Sequence, residues 1–132
     1  MNQIGRYLGL AIVFAWFMLG GISHFTNVSF FVSIVPPYVP YPLAAVYVSG
    51  VCEIVFASGI LVPRTRQWAG NLLILLTLAV TPANVHMWLH PDLFPTVSPT
   101  LLSLRLVLQI ALLWLIWWST RAPSTRPEPV GA

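Results

Sequence analysis

Leu43 to Val62 reads LAAVYVSGVCEIVFASGILV, and its one charged residue, Glu53, stands about ten residues from either end. At about 1.5 Å of rise per residue, a helix over this run is roughly 30 Å long, which matches the hydrocarbon layer of a bilayer. Backbone groups find no water there, so the run must be helical. An acid near the midplane is costly unless it faces a partner or a wet cavity inside a bundle. This stretch therefore predicts a membrane span and also a carboxylate that needs company.

Three other runs have the same character: Ile4 to Ile22, broken only by Arg6, then Trp68 to Trp88, and Leu101 to Trp118. The spans are placed at about 4–22, 43–62, 68–88 and 101–118. Across 132 residues, 58% are hydrophobic and 7% charged, against about 25% charged in a soluble domain. This composition excludes a soluble globular protein and a disordered one. The expected fold is all-α: an integral membrane four-helix bundle forming a single domain over residues 1–119. The first run lacks an Ala-x-Ala cleavage site and exceeds a signal-peptide core in length, so it is read as a retained span.

Proline marks the boundaries. Pro36, Pro37, Pro40 and Pro42 precede the second run and Pro63 ends it, while Pro91, Pro95 and Pro99 separate the third from the fourth. Pro82 alone falls inside a run, where a kink is expected. The segment His24 to Tyr41 is too apolar for a solvated loop and too short to span. It predicts a short interfacial or re-entrant helix over Val28 to Val35. The polar, Pro-rich residues 120–132 read as a disordered cytoplasmic tail.

With four spans, Arg6, Arg64, Arg66, Arg121 and Arg126 fall on one side, and only Arg105 comes near the other. The positive-inside rule then puts both termini in the cytoplasm. Trp68, Trp114, Trp117 and Trp118 near that side, with Tyr38, Tyr41 and Trp88 near the other, read as interfacial belts. Gly5 and Gly9 form a GxxxG, and Gly20–Gly21 lie at the other end of the first run. Both pairs allow close helix approach, within the chain or in a homodimer.

The ionisable and amide residues within the spans carry the functional expectation. Arg105 is the obvious counter-ion for Glu53, either directly or through Gln109 or water. It lies roughly 9 Å nearer the outer side by axial position. Gln109 follows Arg105 at i+4 and shares its face. Asn84 shares a face with Thr81 and Thr77, and His24 ends the first run. The expected site is an outward-biased polar pocket of His24, Glu53, Asn84, Arg105 and Gln109. The alternative is a purely structural network holding four helices in register. His86, about 200° round the helix from Asn84, need not join it. No metal is expected, because His24, His86 and Glu53 lack a ligand spacing. His90 and Asp92 read as solvated, and Cys52 as a small packing residue. A single Cys excludes an internal disulfide.

The chain resembles the DoxX family of small bacterial membrane proteins. The resemblance rests on Gly21-Ile22-Ser23-His24-Phe25, Val35-Pro36 through Pro42, and Tyr47 to Glu53. It continues through Leu61 to Arg66, Pro82-Ala83-Asn84-Val85 and Leu104 to Gln109, so it covers about residues 5–118. It implies a four-helix bundle in the bacterial inner (plasma) membrane. It also implies an accessory subunit of an oxidoreductase system linked to quinone, sulfur or thiol stress. His24, Glu53, Asn84, Arg105 and Gln109 are the family-like polar positions; no cofactor is firmly implied, and a quinone is the candidate. A redox partner protein would carry the electron chemistry, since this chain has one Cys, no facing pair of haem histidines and no nucleotide motif. Independent catalysis is not expected. The alternatives are a carrier of a lipid or small molecule and an assembly factor for membrane proteins. The expected partners are the lipid bilayer, a redox protein and an optional second copy. A net charge of +3, distributed by topology, gives no nucleic-acid footprint.

Overall fold

The computed structural model describes residues 2–122 and 131. Four long helices, α1 (Gln3–Thr26), α3 (Pro42–Leu61), α4 (Arg66–Leu89) and α5 (Pro99–Thr120), are each long and apolar enough to cross a membrane. A short helix, α2 (Val28–Ile34), lies between the first two, where the apolar loop predicted one. The fold is an all-helical multi-pass membrane bundle. Seven of the eight predicted ends are extended, by one to four residues, because interfacial polar residues continue a helix that hydropathy alone cuts short, and α3 stops one residue before the predicted Val62. The predicted tail begins at 120, but Thr120 is the last residue of α5; residues 123–130 and 132 lie outside the described residues.

Each start has a local cause. The Asn2 side chain accepts from the Ile4 N–H at 3.1 Å, and Ser98 accepts from Leu101 N–H at 3.2 Å, with Pro99 following as the first residue of α5. Both satisfy orphan donors of a first turn. Tyr41 adopts a left-handed conformation at φ 54° and turns the chain into Pro42, the first residue of α3. Asn27, at φ −124° and ψ 47°, breaks the helical path between α1 and α2. Through Pro82, α4 continues as one helix. A 3-10 turn over Pro91–Leu93 was not foreseen.

Neighbouring pairs run α1–α3, α3–α4, α4–α5 and α5–α1, so α3 and α5 face each other diagonally. Both described chain ends and the α3–α4 turn share one end of the bundle, here the terminal end; α2 and the 3-10 turn lie at the loop end. Arginines close the terminal end. Arg66 Nε donates to Ile60 O at 2.8 Å and its Nη2 to Leu61 O at 3.3 Å, while Arg6 Nε donates to Ser119 O at 3.1 Å. Cations there satisfy the last carbonyls of α3 and α5 and complement their dipoles.

The terminal half holds the main core. Val13, Ala57, Ile60, Leu73 and Ile116 are fully buried there. Small residues let the backbones meet. A Cβ at Gly9 would lie 3.2 Å from Ser119 Cβ, and one at Gly59 would lie 2.9 Å from Ala69 Cβ. The Gly5–Gly9 pair thus serves packing of α1 on α5. A smaller cluster of Ile34, Met87, Phe94 and Leu102 ties α2 and the 3-10 turn to the bundle at the loop end. The outward faces carry Ile4, Leu8, Leu19, Leu75 and Ile110, exposed as a lipid-facing surface requires.

Candidate functional site

Between the two clusters the helices line a partly open cavity of about 470 Å3, within the usual range for a small-molecule site. All four long helices line it, and α2 with residues Val35 to Val39 covers its loop end. Most of the wall is apolar. His24, Glu53, Asn84, Arg105 and Gln109 all line this one cavity. The structure therefore brings together the five predicted residues, but it pairs them differently.

The expected contact between Glu53 and Arg105 is not made. Among the described residues, the Glu53 carboxyl pairs instead with His24, with Nε2 3.5 Å from Oε1. The cause is helix order. Glu53 on α3 faces α5 diagonally across the cavity, whereas His24 comes from the adjacent α1. The close α1–α3 crossing depends on glycine. A Cβ at Gly50 would sit 2.7 Å from His24 Cβ, and one at Gly21 would sit 2.9 Å from Gly50 O. On the far side of the acid, a Cβ at Gly20 would meet Glu53 Oε2 at 2.8 Å. These glycines leave room for the acid and the imidazole to lie side by side.

Hydrogen bonding fixes the imidazole. His24 Nδ1 is 3.0 Å from Val46 O and 3.0 Å from Ser49 Oγ, and Ser49 Oγ itself donates to Val46 O at 3.0 Å. A carbonyl oxygen can only accept, so Nδ1 carries a proton. The other nitrogen, Nε2, then faces the carboxyl group at 3.5 Å, longer than a short hydrogen bond. Neutral imidazole with carboxylic acid, and imidazolium with carboxylate, both leave the pair uncharged overall. Either form is tolerated at mid-depth, and both titratable groups stand at the cavity wall. Ser49 was not singled out in the sequence, although its place four residues before Glu53 puts it on the same helical face.

The opposite wall carries a directional chain. Arg105 Nη2 donates to Asn84 Oδ1 at 3.0 Å, Asn84 Nδ2 to Gln109 Oε1 at 2.7 Å, and Gln109 Nε2 to Thr81 Oγ1 at 2.6 Å. Thr81 Oγ1 then donates to Thr77 O at 2.9 Å. The direction is set at both ends, because guanidinium has no acceptor and a backbone carbonyl has no donor. Such chains polarise one another. Arg105 has no carboxylate within 4.0 Å among the described residues. Its positive charge and its remaining N–H groups are available to the cavity.

His86 lies away from this site, as its angle round α4 predicts. Its ring stands 4.6 Å from that of His90 and 6.4 Å from Phe94. Among the described residues no group of three His, Cys, Asp or Glu side chains is placed to hold a metal ion. Trp16 and Tyr38, which the polar reading of the spans passed over, also line the cavity.

No curated protein and no solved structure matches the chain. A family model described as a domain of unknown function (DUF8561) matches residues 12–121, a stretch that takes in His24, Glu53, Asn84, Arg105 and Gln109. The chain belongs to the DUF8561 family.

Proposed function

We propose that this protein is an accessory membrane subunit of an oxidoreductase system, and that its cavity receives the headgroup of a quinone. The observation that carries the reading is the opposition of two polar walls across an apolar middle. On one wall His24 and Glu53 stand side by side; on the other, Arg105 offers a cation with free N–H groups. A para-quinone carries two acceptor oxygens on opposite edges of an apolar ring. One oxygen suits the guanidinium, which forms charge-assisted hydrogen bonds. The other suits a group that can donate a proton, because reduction of a quinone consumes protons as well as electrons. The electrons come from a partner protein in this scheme, as the DoxX resemblance also implies. The arginines at the terminal end favour an orientation with both termini in the cytoplasm of a bacterial inner membrane.

The test uses the purified full chain in detergent with a tail-less para-benzoquinone. The wild-type protein should bind it and gain thermal stability that rises with the logarithm of ligand concentration above the Kd. Glu53→Gln should keep its helical spectrum and its ligand-free unfolding temperature while losing most of that gain. If the substitution unfolds the protein, the His24–Glu53 pair is structural and the reading fails. Full stabilisation by ligand in the variant would also sink it.

A further inference from the structure

A second hollow of about 160 Å3 lies in the seam between α1 and α5, lined by Ile12, Trp16, Leu108, Ala111, Leu112 and Leu115. Every one of these side chains is apolar. Trp16, Leu108 and Leu112 line the central cavity as well, so the two spaces share three walls. The seam faces the membrane: Ile12, Trp16 and Leu108 are 55%, 52% and 41% exposed.

Trp16 is misplaced for an interfacial anchor. It stands about 20 Å along α1 from Gln3 and about 15 Å from Thr26 at 1.5 Å per residue, far from the headgroup levels where Trp concentrates. It is not a core residue either, being half exposed. Its position on the walls of both spaces accounts for it better.

Beside the cavity, Gly21 and Gly50 bring α1 against α3, and Asn84 with Gln109 ties α4 to α5. Gly59 and Ala69 bring α3 against α4 only at the terminal end. The α1–α5 seam is likewise closed at the terminal end, where Gly9 meets Ser119 and Trp118. Beyond that contact the hollow begins.

We infer that the ligand is a tailed amphiphile whose oxygen-bearing head occupies the central cavity and whose hydrocarbon chain leaves between α1 and α5, past Trp16, into the lipid. This rests on the headgroup reading above and adds the ligand class and the route. A chain lying along the six apolar side chains keeps its methylenes in a hydrocarbon environment throughout. A water-soluble ligand would have no use for the seam.

Ala111 is the residue to change, because it is exposed, lines the hollow and is not on the cavity wall. Ala111→Trp places an indole where the tail would lie. The full chain in lipid nanodiscs is titrated with tail-less para-benzoquinone and with its decyl-substituted analogue. The variant should bind the decyl compound about tenfold more weakly than wild type, as expected when several methylenes lose their contacts, and the tail-less compound equally well. Should Ala111→Trp disturb the helical spectrum, Ile12→Trp blocks the same hollow from the other helix and must give the same split. Unchanged affinity for the decyl compound in a folded variant overturns the route and leaves the headgroup site standing. Failure of wild type to bind the tail-less compound, with the decyl compound also silent, removes the headgroup reading itself and this inference with it.

Discussion

On the terminal half of α4, a Cβ added at Gly70 would lie 2.7 Å from Thr120 Cβ and 2.8 Å from its Cγ2, with nowhere for a fully buried side chain to go. Three turns further along the same helix, Ala79, Ala83 and Asn84 face a cavity of about 470 Å3. One half of the bundle is packed backbone to backbone through small residues; the other is held apart around a void. Helices in lipid gain little from burying apolar surface and associate through close packing and interhelical hydrogen bonds. The terminal half uses the first; the loop half uses it only where Gly21 meets Gly50 between α1 and α3, and joins α4 to α5 by the second. The void is therefore tolerated because the helices are joined elsewhere.

The largest expected effect is a direct break of that contrast. Gly70→Val should destabilise the detergent-solubilised protein by about 3 kcal/mol, the upper part of the range for overpacking. Ala79→Leu adds a larger side chain on the same helix, but into the cavity, and should cost less than about 1 kcal/mol. Equal losses in the two variants, followed by thermal unfolding, would show that the void is not open space.

How much of this was legible in sequence follows the same division. The spans were readable because hydropathy and proline are properties of consecutive residues. So was α2, whose segment was too apolar to be a loop and too short to cross. Five of the cavity's polar residues could be named, because an ionisable or amide side chain inside a span is conspicuous by itself, whereas the Ser49 hydroxyl is not. Their pairing could not be. Glu53 and Arg105 attract by charge, but which helices are neighbours depends on where glycines permit contact, and Gly21 against Gly50 placed His24 beside the acid. The role of Arg66 at the end of α3 was hidden for another reason. A topology rule counts cations by side and says nothing of which carbonyl each one meets.

A middle-sized effect tests whether the loop half depends on its polar chain. Asn84→Leu removes both the acceptor for Arg105 and the donor to Gln109. Interhelical hydrogen bonds in membranes contribute about 0.6 to 1.7 kcal/mol, so a loss of about 1–2 kcal/mol is expected. Ligand-dependent stabilisation should fall as well, since Arg105 would lose the contact that orients it. A variant that loses stability yet binds the tail-less benzoquinone as wild type does would assign the chain to structure alone.

The smallest effect is expected at His86, and for that reason it sharpens the comparison most. His86 lies near Asn84 along α4 but points elsewhere, toward His90 and Phe94, and its backbone carbonyl accepts from His90 Nδ1 at 2.9 Å. If depth alone made a polar residue matter, His86 and Asn84 would behave alike. If facing the cavity is what matters, His86→Ala should change stability by no more than about 0.5 kcal/mol, as for a surface site, and should leave benzoquinone binding untouched. The backbone bond survives the substitution, so only the ring contacts are lost. A change in ligand affinity of tenfold or more at His86 would mean that the functional surface extends along the loop end of α4 rather than into the space between the helices.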